Sequence, residues 1–155
     1  MTKDNKLLKV KTYFSIISLT VFILSLTQTA LTYNDFDGQK THSSFALLLM
    51  GGLAILGGGT LEWLTWLANP IYFSALILFY KSDKKSIKLS ILATIIALSF
   101  ISWKEILAAE SGRTAAIERL NAGYWLWTFS QIILSIGTIY YFTQLSDKNI
   151  NENKH

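Results

Sequence analysis

The chain has 155 residues, of which 51% are hydrophobic and 14% aromatic, and it carries a formal net charge of +4 without a single cysteine. The absence of cysteine excludes disulfides, thiolate zinc sites, iron–sulfur clusters and thiol catalysis. The lysines flank long hydrophobic runs and do not form a basic face with interleaved aromatics. The charge therefore indicates an orientation in a membrane and argues against nucleic acid as a partner.

Residues 12–32 form the first hydrophobic run, which follows a basic N-terminus. A helix needs about 20 mainly apolar residues to cross the hydrocarbon layer, and this run has that length. A cleaved signal peptide is the alternative, because such peptides also place basic residues before an apolar core. The run is long for a signal core, and Gln28 stands where cleavage after Ala30 requires a small residue. We therefore predict a retained membrane helix.

The second hydrophobic block, residues 44–80, is too long for one membrane helix and awkward for two. The positive-inside rule, by which lysine and arginine gather in cytoplasmic segments, distinguishes one crossing from two. A single crossing brings the lysines of the N-terminus, of residues 81–88 and of the tail (Lys148 and Lys154) to one side. Two crossings would separate the lysines of residues 81–88 from the others. The charges therefore predict one crossing and two cytoplasmic termini.

Within this block the crossing helix is predicted over residues 60–81. Thr60 follows three glycines and is suited to an N-cap, and Glu62 lies in the first turn. Pro70 predicts a kink. Residues 45–56 are left as a short apolar segment with a central glycine pair, and this length is typical of a re-entrant or interfacial segment. A full crossing by residues 45–56 stays open as the alternative.

Two further helices are predicted over residues 88–103 and 123–145. The predicted fold is a single all-α membrane domain, residues 1–155, in which four helices form a transmembrane bundle and the short segment lies on the outer side. The aromatic residues agree with this topology, because all the tryptophans then lie at the outer interface. They are Trp63, Trp66, Trp103, Trp125 and Trp127.

Two polar stretches connect the helices on the outer side. The apolar residues of 105–121 have a loosely helical spacing, which predicts either a short surface helix, broken near Ser111-Gly112, or a solvated outer loop. In the other stretch, residues 35–38 partly match a calcium loop, but Tyr33 and Ser44 would occupy positions that need carboxylates. We predict an acidic turn there and no metal site.

Glu62 is the leading candidate for a functional residue, because an ionisable side chain within a membrane helix is a functional hypothesis by default. Trp66 and Asn69 share its helical face at four- and three-residue spacing. The full candidate interaction or ion site comprises Glu62, Trp63, Trp66, Asn69, Tyr124, Trp125 and Trp127. Two alternatives stay open: Glu62 caps its own helix, and the tryptophans only anchor the protein in the membrane.

Two strings, Trp-Leu-Ala-Asn-Pro at residues 66–70 and Gly-Tyr-Trp-Leu-Trp at residues 123–127, resemble strings found in small, uncharacterised bacterial inner-membrane proteins. The resemblance covers about a tenth of the chain. It implies a bacterial inner membrane and carries no activity with it.

Three functions are compatible with these features. The preferred prediction is a small non-enzymatic accessory, regulatory or protective protein, without a cofactor, that contacts the lipid bilayer and either a membrane-protein partner or a second copy of itself. The alternative is a subunit of an oligomeric ion or small-solute transporter that uses Glu62, because interrupted helices often build such sites. An intramembrane enzyme is least favoured. The chain has no Gly-x-Ser-x-Gly or His-Glu-x-x-His motif, no catalytic residue is assigned, and a carboxylate mechanism needs a second acid near Glu62.

Overall fold

The structure is a computed structural model that describes residues 3–108 and 112–152. This part of the chain is mostly helical and also contains a four-stranded antiparallel sheet. The helices are α1 (Lys3–Leu26), α2 (Ser44–Met50), α3 (Thr60–Trp66), α4 (Ala68–Tyr80), α5 (Lys85–Ser99) and α6 (Ala122–Glu152), with short 3-10 helices at Gly51–Gly57 and Phe100–Ser102. The strands are β1 (Thr29–Asp35), β2 (Gly38–Ser43), β3 (Glu105–Leu107) and β4 (Thr114–Leu120).

Three helical stretches of the described chain are long and apolar enough to cross a membrane: Asn5–Leu26, Thr60–Tyr80 and Lys85–Ser102. They correspond to the first three predicted helices. The first prediction is wrong at its C-terminal end, because α1 ends at Leu26 and residues 29–32 belong to β1. The last predicted helix lies within α6 and is helical throughout.

The stretch that begins at Thr60 is divided into α3 and α4 at Leu67. Pro70 has no backbone N–H to offer to the carbonyl group of Trp66. The side-chain amide of Asn69 donates to that carbonyl oxygen instead, at 3.0 Å. The N-cap of α3 is Gly59, so the prediction of a Thr60 cap is wrong by one residue.

The short apolar segment predicted over residues 45–56 is present as a separate helical stretch, Ser44–Gly57. Ser43 caps its first helix, since the Ser43 hydroxyl accepts a hydrogen bond from the Ala46 N–H at 3.2 Å. Leu49, Met50 and Leu56 on this stretch are exposed, as expected for a segment that contacts lipid.

Both polar connections, residues 34–44 and 105–121, contribute strands to one sheet, whose strand order is β2-β1-β4-β3. The prediction of a purely all-α fold, with a surface helix or loop over residues 105–121, is therefore wrong. The register of β1 and β4 opposes Leu31 to Leu120 and Tyr33 to Ile117. These partners are far apart in the sequence, and strand formation depends on such cross-strand packing more than on local preference. Ser111, near the predicted helix break, lies outside the described residues.

The acidic stretch Asp35–Gly38 forms the turn between β1 and β2. Gly38 has a φ of 107°, a conformation that a residue with a side chain rarely adopts. Within the described residues, no group of three or more His, Cys, Asp or Glu side chains is arranged to hold a metal ion.

The sheet fixes which helix ends lie together. Because β1 follows α1 and β4 precedes α6 and pairs with β1, the C-terminal end of α1 and the N-terminal end of α6 share one end of the molecule. At the other end, the Lys11 ammonium donates to the carbonyl oxygen of Tyr80 at 2.9 Å and to the hydroxyl of Ser82 at 3.0 Å. The N-terminal part of α1 therefore lies beside the turn between α4 and α5.

Hydroxyl groups and small side chains join the helices. Ser18 Oγ of α1 lies 2.7 Å from Tyr72 Oη of α4 and donates to the carbonyl oxygen of Ser130 in α6 at 2.7 Å. Ser90 Oγ of α5 lies 3.0 Å from Thr138 Oγ1 of α6. Interhelical hydroxyl bonds of this kind, together with small residues, are typical of helix packing inside membranes.

α1 and α6 are in close contact at Gly137. A Cβ at this position would lie 2.5 Å from Phe14 Cβ. Gly137→Val is expected to push the two helices apart and to destabilise the protein by about 1–3 kcal/mol, the usual cost of overpacking. Thermal unfolding in detergent micelles measures the loss, and Ile136→Val at an exposed neighbour is the control. An unchanged melting temperature for Gly137→Val would contradict the close approach.

Candidate functional site

A cavity of about 150 Å³ lies between the helix ends and the sheet. Both the helices and the sheet contribute to its wall. It is bounded by α1, α3, α4 and α6, by the Ser44–Gly57 stretch and by three strands. Representative wall residues are Phe22 (α1), Leu31 (β1), His42 (β2), Leu48 (α2), Phe100 (the Phe100–Ser102 3-10 helix) and Ile106 (β3). The wall is mainly apolar, as in most small-molecule sites.

The cavity brings together residues that sequence analysis grouped as a candidate site. Five of the seven line it: Glu62, Trp66, Asn69, Tyr124 and Trp127. Trp63 and Trp125 do not line it, and Trp125 is 40% exposed. Glu62, Trp66 and Asn69 therefore face the same cavity from α3 and α4, as their helical spacing predicts.

The Trp66 indole explains the glycine pair in the preceding stretch. A Cβ at Gly51 would lie 2.6 Å from Trp66 Cδ1, and a Cβ at Gly52 would lie 3.1 Å from Trp66 Cζ2. The indole N–H donates to the carbonyl oxygen of Leu48 at 2.7 Å. The glycines therefore allow the indole to lie directly against the backbone of the Gly51–Gly57 helix.

Asn69 connects the two tryptophans of the cavity. Its Oδ1 accepts a hydrogen bond from the Trp127 indole N–H at 2.8 Å, while its Nδ2 donates to the Trp66 carbonyl oxygen. Gln131 lies within reach of the same indole, because its amide oxygen accepts from Trp127 Nε1 at 3.2 Å when the amide is oriented so that its nitrogen donates to the Ala93 carbonyl oxygen. The indole N–H of Trp127 and the side-chain amide of Asn69 therefore have their hydrogen-bond partners within the protein.

The Glu62 carboxylate is hydrogen-bonded to the sheet. Its Oε1 accepts a hydrogen bond from the backbone N–H of Leu107 in β3 at 2.7 Å, and its Oε2 would lie 3.0 Å from a Cβ at Gly59. This hydrogen bond does not cap the helix of Glu62, because its donor, Leu107, lies in β3, 45 residues further along the chain. None of the ion pairs between described side chains involves Glu62.

His42 and Ser44 are polar wall residues that the sequence did not assign to the site. The His42 ring stacks on Tyr33 with the ring centroids 4.8 Å apart, and burial lowers the pKa of His42. The Ser44 side chain is buried, with the residue 8% exposed, and its Oγ has no hydrogen-bond partner among the described residues. His42 reaches the cavity on β2, and Ser44 reaches it as the first residue of α2, which directly follows β2. No local sequence pattern could therefore have identified them without the sheet.

An ion cluster joins the β1–β2 hairpin to the segment that precedes β4. The Asp35 carboxylate, with its side chain only 4% exposed, pairs with Lys40 at 2.8 Å and with Arg113. The Arg113 guanidinium lies 4.8 Å from the centre of the Phe36 ring. Hydrogen bonds from Arg113 and then from Lys40 hold the pKa of Asp35 well below its ordinary value.

The low pKa of Asp35 makes a prediction about the pH dependence of stability. A carboxyl group whose pKa is lower in the folded state stabilises that state above its unfolded pKa of about 3.9 and loses this contribution as pH falls towards the folded pKa. Asp35→Asn is therefore expected to lower the melting temperature at pH 7, with a smaller difference from the natural chain at pH 3. Thermal unfolding in detergent at the two pH values measures it.

Asp37→Asn is the matched control, because the Asp37 side chain is 85% exposed and also faces Lys40. We expect a much smaller effect from this substitution. Equal melting temperatures for Asp35→Asn and the natural chain at pH 7 would show that the ion cluster does not stabilise the sheet.

Comparison of the chain with models of protein families, with curated proteins and with solved structures finds no match.

Proposed function

We propose that this chain is a non-enzymatic, multi-pass protein of the bacterial inner membrane that binds a small, largely apolar ligand at its outer face. Through this ligand it serves as an accessory, regulatory or protective partner of another membrane component. The observation that carries the proposal is the cavity, which encloses a ligand-sized volume between the bundle and the sheet. Its wall is mostly apolar with a few polar groups, which is the composition of a binding site.

The proposed topology has four crossings and both termini in the cytoplasm. The three apolar stretches supply three of these, and α6, which runs 31 residues from the sheet end of the molecule, supplies the fourth. The contact of Lys11 with the turn after Tyr80 supports a common cytoplasmic side for the N-terminus and this lysine-rich turn. Lys154 of the tail lies outside the described residues.

Reporter fusions test this topology directly. A fusion after Ser82 is expected to report the cytoplasm, and a fusion after Ser111, which lies outside the described residues, the opposite side. Because β3 and β4 belong to one sheet with β1 and β2, a fusion after Asp37 is expected to agree with the one after Ser111. Reports from the same side at Ser82 and Asp37 would contradict the topology.

Binding is better supported than catalysis. A mechanism with two carboxyl groups needs a second acid close to Glu62. Glu105 is the candidate for this second acid. Its carboxylate accepts a hydrogen bond from Thr114 Oγ1 at 2.7 Å, and Glu105 does not line the cavity. Glu62 itself is engaged with the backbone of Leu107, which suits a positioned recognition group.

Binding is also better supported than transport through the bundle. Beyond Asn69 and Trp127 the helices are packed by side chains with no exposed surface, among them Tyr72, Phe79 and Leu134. Several hydroxyl groups in this part of the bundle bond one another or the backbone, as Ser18 bonds Tyr72 and the Ser130 carbonyl group. A ligand in the cavity would therefore have no open path between the helices.

Crosslinking from two positions tests the proposal. A diazirine side chain at position 66, inside the cavity, is expected to yield an adduct with a small molecule or a lipid. A diazirine at position 125, which is exposed outside the cavity, is expected to yield an adduct with a membrane protein. Mass spectrometry of adducts formed in intact membranes gives both results.

Position 129 is the control, because Phe129 is exposed on α6 one turn further from the sheet. We expect lipid adducts there. Recovery of lipid adducts alone at position 125 would contradict the proposed protein partner. The absence of any small-molecule or lipid adduct at position 66 would contradict the proposed ligand.

A further inference from the structure

The polar hydrogens of the aromatic residues Trp66, Trp127 and Tyr124 on the cavity wall are already used. The N–H groups of Trp66 and Trp127 donate to Leu48 and to Asn69, as described above. The Tyr124 hydroxyl donates to the carbonyl oxygen of Ala97 at 2.7 Å. These aromatic residues therefore offer a ligand their ring surfaces, which attract cations.

The acceptors on the wall are not all used. Only Oε1 of the Glu62 carboxylate has a hydrogen-bond donor among the described residues, which leaves Oε2 available. The pKa of His42 is lowered by burial, which favours the neutral imidazole at pH 7 and removes a competing positive charge.

We propose that the cavity binds an organic ammonium ion, with its N–H groups directed to Glu62 and its apolar body against Trp66, Tyr124 and Trp127. This inference rests on the proposed ligand-binding function and names its ligand class. A carboxylate without a lysine or arginine partner, beside aromatic rings, provides the charge and the surface that ammonium groups bind. An anionic ligand would face the Glu62 carboxylate and few free donors.

The volume limits the size of the part that is enclosed. An apolar protein cavity of about 150 Å³ holds a molecule the size of benzene, and this cavity has that volume. An alkyl group of about four to six carbons therefore fits. Both a free short-chain amine and the ethanolamine headgroup of a lipid present this ammonium chemistry.

The test uses n-butylammonium as the probe and n-butanol as its neutral counterpart, on the full chain in micelles of the neutral detergent dodecyl maltoside. Tryptophan fluorescence reports binding, because Trp66 and Trp127 line the cavity. We expect n-butylammonium to bind the natural chain about tenfold more tightly than n-butanol does, the ratio that corresponds to one charge-assisted hydrogen bond.

Glu62→Gln is the decisive variant, because its amide oxygen still accepts from the Leu107 N–H while the charge is lost. We expect this variant to bind n-butylammonium about tenfold more weakly and n-butanol unchanged. Glu105→Gln is the matched control, since Glu105 is an exposed carboxylate of the same sheet outside the cavity.

Equal affinity of the natural chain for the two probes, or equal affinity of Glu62→Gln and the natural chain for n-butylammonium, would overturn the inference and leave the ligand-binding function in place. Failure of both probes to bind would overturn both. Adding phosphatidylethanolamine to the micelles distinguishes the sources of the ammonium group. Weaker n-butylammonium binding in its presence assigns the site to a lipid headgroup, and unchanged binding assigns it to a free amine.

Discussion

Gly123→Ala is expected to destabilise the protein by about 2 kcal/mol, although alanine is favoured over glycine inside a helix by about 1 kcal/mol. A Cβ at position 123 would lie 2.1 Å from Ser44 Oγ and 2.7 Å from the carbonyl oxygen of Thr29. The hydroxyl can rotate, but the Thr29 carbonyl is backbone and can move only with β1. The added methyl group therefore displaces the start of α6 from the sheet.

Chemical unfolding in detergent micelles measures this loss, and hydrogen exchange of the β1 amides locates it at the sheet. Ala122→Val adds more volume at the exposed neighbour and is expected to change stability by less than about 0.5 kcal/mol. A stabilising effect of Gly123→Ala would mean that helix propensity outweighs the contact and that α6 and β1 are further apart than described.

The second large effect concerns the contact of Trp66 with Gly51. Trp66→Ala is expected to cost about 3 kcal/mol, because it removes a large side chain from the cavity wall together with its hydrogen bond to Leu48. Gly51→Ala is expected to cost about 1–3 kcal/mol, since its Cβ would collide with the Trp66 indole. The φ of Gly51 is −61°, which any residue adopts, so the collision is the only cost of the methyl group.

The double variant separates this contact from general damage. With the indole absent, the methyl group of Gly51→Ala meets open space, and the double variant is expected to be no less stable than Trp66→Ala alone. Leu53→Ala, at an exposed position of the same 3-10 helix, is the control for loss of helix packing. Additive effects of the two substitutions would show that Trp66 does not lie against Gly51.

The helical part of the fold was largely predictable from sequence because it depends on one-dimensional properties. The length and hydropathy of Thr60–Tyr80 and Lys85–Ser102 predict helices that are long enough to cross a membrane, and the structure has helices there. The short stretch Ser44–Gly57 was also expected as a separate element. The boundaries were less predictable, since the end of α1 is determined by the pairing of β1 with β4.

The sheet was not predictable by the same means. The apolar residues of 105–121 have a spacing that fits a helix loosely, and β4 has no strict alternation of buried and exposed residues. The strand exists because its apolar side chains pack against those of β1, more than 80 residues earlier in the chain. Only the three-dimensional arrangement contains that contact.

The candidate site divides in the same way. The sequence alone determined that Glu62, Trp66 and Asn69 share a helical face, because three- and four-residue spacing brings side chains together on any helix. It also placed aromatic residues at the start of α6. The tertiary structure decided that Trp66 and Trp127 line one cavity while Trp63 and Trp125 lie outside it. It also decided that Glu62 bonds to β3 and that Ser44 faces the cavity without a partner. Helical periodicity is a property of one segment, whereas a cavity exists only where several segments meet.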